Sequence, residues 1–502
     1  MSFGPPPSVY TESALASDKK RRSHRRRLAA VAGGTALALV CVGGWFLWDG
    51  ASGQAKGHGS PAAARAAADD IRETVERPPV SPEGVLVTER DEEGLTKASQ
   101  DRPRYAPGTW VTDKIVAKGV ANRIEGYRFD WKDKPAWRLD LDGHICAVSR
   151  HVTVDGRTAV AVQPHKRKNG TPNDKGVCDE VVFFELNTGK KLWQKTMPAA
   201  EFAYATNTNL TLTKGVVAVA WGHGSVAYDM KSGGQLWNST TTSKCEDRGF
   251  AGGRALLALL SCGAAPNRTF QVQRLDPRTG KERWTYRIAD GVSTAYLPSS
   301  DPPVIAVAAG DTMVTDLISL DDKGRHMATI SLDGYEADCD TRSYVDPLFG
   351  VVEVCDGVVV GRDHVFVTSK ENTSIDQPRN WIVAFDLKTG HSAGKFEGRP
   401  FRGVHPLRMS GDDLLIFRQS AGVGTDFAAV VAWNPQTDKE TPLLFLLLPE
   451  DDGAKLGDPL QSDIVVEHGR VVFSRRELVL DDEKSKDPVL MLLAYGTEGL
   501  KH

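Results

Sequence analysis

The sequence predicts an all-β fold built from repeated four-stranded units. The main evidence is a hairpin motif in which an apolar strand ends in Asn or Asp, a Gly-containing turn follows, and the next strand begins with Trp. The motif is clearest at residues 182–194. Similar copies lie at residues 226–237, 272–284 and 383–390, and looser copies at 127–137, 318–324 and 431–435. Seven copies of one hairpin indicate a repeat protein.

The turn residues of this motif have a physical reason. An Asp or Asn side chain bonds the backbone two residues on, and Gly adopts the positive φ that closes a hairpin. The flanking residues are β-branched or aromatic, as half-buried strands prefer. The turn residues assigned in this way are Asn187, Gly189, Asp229, Asp276, Gly280, Asp386 and Gly390.

The spacing of the tryptophans gives the size of the repeat. Four of them follow one another at intervals of 56, 44 and 47 residues, close to the ~40–50-residue period of a propeller blade. Further apolar runs between the turns, such as residues 215–220, supply four strands per period and favour a β-propeller over a solenoid. We assign four residues to packing between blades rather than to a ligand pocket: Trp137, Trp193, Trp237 and Trp284.

The order of residues in the motif resembles the PQQ-type, quinoprotein-like propeller repeat of bacterial proteins. Residues 186–190 with Trp193, and residues 275–281 with Trp284, match it best. In that family the turn and the Trp lock neighbouring blades together. The resemblance covers most of residues 105–497. It implies the fold, but it does not imply that a quinone binds.

The two ends of the repeat region predict how the ring closes. Residues 461–497 hold three strands with nothing after them to supply a fourth, while a short strand at 84–90 precedes the first repeat. An open blade edge leaves backbone groups unpaired. We therefore expect residues 84–90 to complete the last blade, which gives eight blades; seven is the alternative.

The N-terminal region predicts a membrane anchor. Seven Lys and Arg residues lie between Lys19 and Arg27, directly before the uncharged run 28–48. As a helix this run spans about 31 Å, enough to cross a bilayer, and the cations place the N-terminus in the cytoplasm. A cleavable signal peptide is the alternative, but its apolar core is usually ~7–15 residues, and no clear cleavage site follows Trp48.

These features divide the chain into four predicted parts. They are a cytoplasmic tail (1–27), a single-pass membrane helix (28–48), an extracytoplasmic linker (49–83) and the propeller (84–502). Within the linker, the Ala-rich composition predicts a short helix over residues 61–76, which the following prolines end. The propeller then lies outside the membrane in the cell envelope.

Six cysteines lie on the outward side of the predicted membrane helix. An even number in an oxidising compartment predicts disulfides, with 15 possible pairings. Pairs within single predicted blades join cysteines of adjacent strands, namely Cys146–Cys178, Cys245–Cys262 and Cys339–Cys355. Zinc binding is the alternative, but the CxxC or clustered Cys/His spacing that it requires is missing.

A search of the sequence for catalytic chemistry assigns no catalytic and no metal-binding residue. The resemblance implies calcium-coordinating acids and a catalytic Asp in quinone-dependent members, but we can assign no residues here to those roles. The acidic clusters 140–143 and 481–483 lack the loop spacing of a calcium site and are interpreted as solvated turns. Residues 222–225 are interpreted as a hairpin turn between two strands of one blade.

These observations favour a membrane-tethered, extracytoplasmic propeller that binds or scaffolds a protein, glycan or small ligand. Propellers present many loops on rigid faces, and no cofactor is expected. One alternative is a degenerate oxidoreductase that uses PQQ with calcium. Another is a sensor domain that signals through a separate partner, because the short cytoplasmic tail cannot hold a kinase. The net charge of −3 shows no overall bias toward nucleic acid.

Overall fold

The structure is a computed structural model of an eight-bladed β-propeller. It describes residues 66–93, 95, 104–129, 134–166, 170, 172–240, 245–264, 267–310, 313–339, 352–371, 378–422, 426–450, 452–480 and 488–497. The predicted membrane helix 28–48 and the acidic cluster 481–483 lie outside these residues. Within the residues that the structure describes, no helix is both long and apolar enough to cross a membrane.

The blades follow one another along the chain, and each is an antiparallel sheet. Two strands precede the first blade: β1 (Gly84–Glu92) and β2 (Arg104–Tyr105). Blade I comprises β3 (Thr109–Val111), β4 (Ile115–Val120), β5 (Arg123–Arg128) and β6 (Trp137–Asp140), and blade II comprises β7 (Gly143–Val148), β8 (Arg157–Pro164), β9 (Glu180–Glu185) and β10 (Lys191–Thr196). Blade III comprises β11 (Asn209–Thr213), β12 (Val216–Ala220), β13 (Gly224–Asp229) and β14 (Gln235–Thr240), and blade IV comprises β15 (Cys245–Ala251), β16 (Leu256–Cys262), β17 (Thr269–Leu275) and β18 (Glu282–Arg287).

The second half of the ring repeats this pattern with two changes, an interrupted strand in blade VI and a composite blade VIII. Blade V comprises β19 (Val292–Ser300), β20 (Pro303–Ala309), β21 (Asp316–Leu320) and β22 (His326–Ser331), and blade VI comprises β23 (Tyr335–Glu336), β24 (Val358–Val360), β25 (His364–Ser369), β26 (Trp381–Asp386) and β27 (Ser392–Glu397). Blade VII comprises β28 (Val404–Ser410), β29 (Asp413–Arg418), β30 (Ala428–Asn434) and β31 (Lys439–Leu446), and blade VIII takes β32 (Ser462–Glu467), β33 (Arg470–Arg475) and β35 (Val489–Thr497) from this part of the chain. The short strand β34 (Glu477–Leu478) lies outside the blades and pairs with β2 in a separate two-stranded sheet. One short helix, α1 (Gly453–Leu456), precedes blade VIII.

The ring closes through the strand that the sequence predicts for this role. In blade VIII the strand order is β32, β33, β35 and then β1 at the outer edge. The register runs from Gly84 opposite Thr497 to Glu92 opposite Val489. Eight blades are therefore confirmed, and the seven-bladed alternative is wrong. The composite blade satisfies the outer edge of β35, which would otherwise expose unpaired backbone groups.

Polar contacts join the end of β1 to blade I. Glu92 forms ion pairs with Arg104 and with Arg123, the latter at 2.6 Å. On the inner side of the same seam, the Thr109 hydroxyl donates to a carboxylate oxygen of Asp463 at 2.8 Å. The seam between blades VIII and I thus rests on side chains of β1 and of two inner strands.

The alternation of strand direction gives the ring two faces. The turn face carries the connections from the first to the second strand and from the third to the fourth strand of each blade. The loop face carries the connections from the second to the third strand and between blades.

Residues 66–83 run along the turn face, and we call this segment the strap. Its described part contains no helix, so the helix predicted over 61–76 does not form over 66–76. Backbone groups of the segment instead pair with blade II, where the Arg72 N–H donates to Val152 and the Val154 N–H donates to Asp70. These hydrogen bonds to the ring override the local helix propensity of the Ala-rich sequence.

The six outward cysteines form three disulfides, in the pairs expected from sequence order. Cys146 bonds Cys178 within blade II. Cys245 and Cys262 face each other on neighbouring strands β15 and β16. Cys339 bonds Cys355 in the insertion that interrupts the inner strand of blade VI. Each disulfide therefore lies inside one blade.

Candidate binding site in the central channel

The predicted packing tryptophans lie between neighbouring blades. Each of three indole N–H groups donates to a backbone carbonyl in the turn of the following blade: Trp193 to Met230, Trp237 to Pro277 and Trp284 to Asp322, at 2.9, 2.8 and 3.0 Å. Trp137 packs against the turn of blade II, where a Cβ added to Gly189 would come within 2.3 Å of its ring. The same contact thus recurs at four successive seams.

The aspartates of the repeat cap their own turns. Asp229 accepts hydrogen bonds from the Ser232 N–H and hydroxyl, and Asp276 accepts the equivalent pair from Thr279. Asp386 does the same with Thr389. Hydrogen bonds from Arg283 and Thr279 lower the pKa of Asp276 to about 2. Gly280 and Gly390 have φ of +67° and +70°. This is the positive φ that the turn requires and that Gly adopts without strain.

Asn187 has a different role from the one assigned by sequence. In blade II the side chain of Glu185 takes the capping position and accepts a hydrogen bond from the Thr188 hydroxyl at 2.6 Å. Asn187, two residues further on, accepts a hydrogen bond from the Thr112 hydroxyl of blade I. The turn itself has the same position as in the other copies, because the Gly189 N–H donates to the Glu185 carbonyl as Gly280 does to Asp276. The capping residue is thus Glu185, and Asn187 links two blades instead of capping a turn.

The inner strands enclose a central channel with a cavity of about 920 Å³. Two segments that do not belong to the repeat enter it. Strap residues 71–75 line its mouth on the turn face. From blade VI, residues 352–356 enter it through the insertion between β23 and β24. The channel is therefore filled in part by the chain itself.

The side chain of Glu353, in the insertion of blade VI, reaches the far wall of the channel. This residue is 7% exposed. Its carboxylate accepts hydrogen bonds from the Thr211 hydroxyl at 3.0 Å and from the Gly252 N–H at 2.9 Å. His151 Nε2 lies 3.3 Å from the same carboxylate, and Arg150 donates to the backbone carbonyl of Glu353. One side chain of blade VI thus binds blades II, III and IV.

The electrostatics of Glu353 follow from these contacts. Burial by itself would raise the pKa of Glu353, but the charge and hydrogen bond of His151 and the charge of Arg150 outweigh it and lower the pKa. The carboxylate is therefore held in its charged form. A charged group in this position needs partners to offset its desolvation, and the three blades supply them.

The base of the insertion carries a contrasting group of acids. Asp338 and Asp356 exchange two backbone hydrogen bonds beside the Cys339–Cys355 disulfide. Burial, and next the negative charge of Asp356, raise the pKa of Asp338. Burial and then the charge of Asp338 also raise the pKa of Glu336. Arg476 lies 3.6 Å from Asp356 and supplies positive charge there.

The donors around Glu353 do not fit a calcium-bound quinone. Calcium takes six to eight oxygen ligands, whereas both oxygens of this carboxylate already accept protein hydrogen bonds. Across the described parts of the chain, no group of three or more His, Cys, Asp or Glu side chains is arranged to hold a metal ion. Asp140 and Asp142, from the predicted solvated turn, bind Arg138 and Gln194 instead.

Sequence reasoning missed Glu353 and the strap. Glu353 is the only charged residue in the run 351–355, and a lone carboxylate among apolar residues was the available signal for a buried charge with partners. The strap gave no comparable signal, because its Pro- and Ala-rich composition is that of a linker. Both depend on contacts between distant parts of the chain.

The loop face presents exposed apolar side chains. Among the described residues, six large ones on this face are at least 40% exposed: Phe202, Met313, Phe401, Phe427, Leu447 and Leu460. Phe401 and Phe427 are held near each other, because Arg402 pairs with Asp426 and donates to the Phe427 carbonyl at 3.1 Å. Scattered exposed apolar residues are common, and Val75 and Val154 are exposed on the turn face, but all the exposed Phe and Met side chains among the described residues lie on the loop face.

The fold and its locking turns define a PQQ-type propeller. A family model described as outer membrane protein assembly factor BamB matches residues 131–249 and 178–441. These matches span more than half of the chain, which therefore belongs to this family. Among curated proteins, none matches the sequence.

Solved structures with a similar fold include BamB and dehydrogenases. BamB from Moraxella catarrhalis is 15% identical with a TM-score of 0.43, and the match covers 84% of this chain and 99% of that one. Quinohemoprotein alcohol dehydrogenase ADHIIG from Pseudomonas putida HK5 is 12% identical with a TM-score of 0.46, covering 82% and 76%. A europium-containing methanol dehydrogenase is 12% identical with a TM-score of 0.44, covering 82% and 93%.

Proposed function

We propose that this chain is a membrane-tethered, extracytoplasmic propeller that binds or scaffolds another protein through its loop face. The observation that carries the proposal is that the two faces of the ring differ in what covers them. The chain's own strap and insertion occupy the channel and its mouth on the turn face, while six large apolar side chains are exposed on the loop face. Membership of a family described as an assembly factor supports a role exercised through protein contacts.

The tether in this proposal is the apolar run 28–48, with its preceding cations in the cytoplasm. On intact spheroplasts, added protease is expected to release the propeller while a tag at the N-terminus stays protected. A protected C-terminal tag, or a mature chain that begins after residue 48, would contradict the tether.

The binding role is tested by charged substitutions on the loop face. Full-length chain is crosslinked in envelope preparations, and the captured proteins are compared with those of the Phe401→Asp/Phe427→Asp variant. A charge in the centre of an interface is poorly tolerated, so this variant is expected to lose at least ten-fold of a specific crosslinked partner. The matched control is Val154→Asp, a 41% exposed apolar residue on the turn face.

Equal capture by the native chain, the Phe401→Asp/Phe427→Asp variant and the Val154→Asp variant would contradict the use of the loop face.

We further propose that the propeller works without a quinone, because the oxygens of Glu353 already accept hydrogen bonds from protein donors. Addition of quinone and calcium to the purified chain is expected to leave no stoichiometric chromophore. A bound chromophore would instead support the oxidoreductase alternative.

A further inference from the structure

Beside the mouth of the channel on the turn face, the side chain of Glu76 lies in an enclosed polar site. This side chain is 3% exposed. Its carboxylate accepts hydrogen bonds from Arg408 at 2.6 Å and from the backbone N–H groups of His468 and Gly469 at 3.0 and 2.7 Å. His468 and Gly469 have φ of +53° and +72°, so their successive N–H groups form the kind of concavity that binds anions.

The same site also contacts the backbone at Glu76 and two residues before it. The Glu76 N–H donates to the Ser410 hydroxyl at 2.8 Å, and Arg408 donates to the Thr74 carbonyl at 2.7 Å. Arg408 is itself positioned by a hydrogen bond to the Val466 carbonyl. We call Arg408, Ser410, His468 and Gly469 the cradle. It contacts an extended backbone together with one carboxylate.

A second carboxylate of the strap is bound across the mouth. Glu73 forms two hydrogen bonds with Arg254 of blade IV, both at 2.5 Å. Forked pairs of this kind are geometrically specific for carboxylates. Two acidic residues of the strap, three positions apart, are thus bound by Arg254 on one side of the ring and by the cradle on the other.

The contacts of strap residues 73–76 with the ring are mainly polar. Both members of the Glu73–Arg254 pair are about half exposed, and Val75 between the two carboxylates is 61% exposed. Exposed ion pairs contribute little free energy. A second peptide with the same chemistry can therefore compete with the strap from its Glu73 end, where the contacts are exposed.

We propose that the turn-face mouth is a binding site for an extended acidic peptide of a partner protein, and that strap residues 72–76 are its resident occupant. A partner segment with carboxylates spaced like Glu73 and Glu76 binds by displacing the strap. This inference rests on the proposed binding function and names the chemistry of one partner. It uses the face opposite to the apolar loop face, so the two sites are separate.

The test uses a fluorescent peptide with the sequence of residues 68–79, titrated into the full-length chain and followed by anisotropy. The strap is weakened in the chain by Glu73→Gln/Glu76→Gln. Because charged hydrogen bonds are about twice as strong as neutral ones, the weakened chain is expected to bind the peptide at least about ten-fold more tightly than the native chain. Adding Arg408→Gln to the weakened chain should abolish this gain, and so should replacing both glutamates of the peptide by Gln.

A second measurement covers the case in which Glu76→Gln disturbs folding. Glu73→Gln alone changes only the half-exposed pair, and a gain of about two- to three-fold is expected from it. In the native chain, excess peptide should also speed hydrogen exchange at the amides of Arg72 and Glu76 and leave β1 unchanged.

Equal peptide affinity for the native chain, the Glu73→Gln chain and the doubly substituted chain, with unchanged exchange in the strap, would overturn the proposal. This outcome would not affect the crosslinking comparison of Phe401→Asp/Phe427→Asp, which reports on the loop face. Failure of the peptide site is therefore distinguishable from failure of the proposed binding function.

Discussion

Blades II to V and the region around the closing seam are held together in different ways. In blades II to V, each seam repeats one contact, an indole N–H donating into the next turn, as Trp193 and Trp237 do. Among the described residues, no indole N–H makes this contact at the seam between blades VIII and I. This seam relies on β1, whose partner β35 lies more than 390 residues away along the chain. One region is assembled from local motifs and the other from chain ends.

The contrast between the regular seams and the closing seam shows which contacts a repeat encodes. A repeat specifies how each unit meets its neighbour, so stability within blades II to V is distributed over equivalent seams. Closure and the filling of the channel need segments from outside the repeat. Loss of one regular seam is therefore expected to be local, whereas loss of the closing strand affects the whole ring.

The largest effect is expected from removing the closing strand. A chain beginning at residue 93 lacks β1, whereas a chain beginning at residue 84 keeps all of it. Eight residue pairs join β1 to β35. Because a typical hydrogen bond contributes about 1 kcal/mol net, the shorter chain should lose on the order of 5 kcal/mol of unfolding free energy, a large part of a typical total.

The measurement is thermal and denaturant unfolding of both chains, with light scattering to follow association of the exposed edge. A third chain beginning at residue 66 keeps the strap as well and separates the contribution of the strap from that of β1. If the chains beginning at 84 and 93 melt at the same temperature, the seam does not hold the ring closed.

The next effect concerns a regular seam. Trp193 is 9% exposed, stacks on Phe183 at a centroid distance of 5.1 Å and donates to Met230. Trp193→Ala should lower the unfolding free energy by about 3 kcal/mol, as large-to-small substitutions in a core do. Trp284→Ala is the matched control at a more exposed position and should cost less. Equal losses would show that burial does not set the strength of the seam.

The sequence predicted the ring better than it predicted the channel. Turns, tryptophans, disulfides and the closing strand follow from local chemistry or from counting strands, and the three disulfide pairs and the closing strand are confirmed. The role of Asn187 was missed because Glu185 takes the capping position that the shorter Asp fills in the turns of Asp276 and Asp386. Glu353 and Glu76 were missed because their partners lie in other blades, and no local pattern specifies such contacts.

A smaller loss of stability is expected from a substitution in the channel. Glu353 there joins blades through contacts that the repeat motif does not supply. Glu353→Gln keeps the shape of the side chain but removes the charge that the donors of Thr211 and Gly252 face. Hydrogen bonds to charged groups contribute about 1.5–3 kcal/mol. The substitution is therefore expected to cost about 2 kcal/mol at neutral pH, measured by denaturant unfolding.

The pH dependence gives this prediction its sign. The folded-state pKa of Glu353 is lowered, so its stabilising contribution is present above the unfolded pKa of about 4.3 and is lost as the pH falls through the folded value. The native chain should therefore lose more stability between about pH 5 and pH 3 than the Glu353→Gln chain does. Parallel curves for the two chains would contradict the assigned charge state.

The smallest effect is expected at a single turn of a regular blade. Asp276 accepts hydrogen bonds from the N–H and the hydroxyl of Thr279 and pairs with Arg283 at 2.7 Å. Because this turn lies at the surface, Asp276→Ala should cost only about 1 kcal/mol, and Asp276→Asn, which keeps an acceptor, should cost less. Hydrogen exchange should show faster opening of β17 and β18 with no change in β1 or β35. Asp386→Ala, at the equivalent turn of blade VI, should open β26 and β27 in the same local way. If either substitution instead speeds exchange at β1, the turns of the repeat and the closing seam are coupled, and the contrast between a locally held ring and a distantly held closure does not hold.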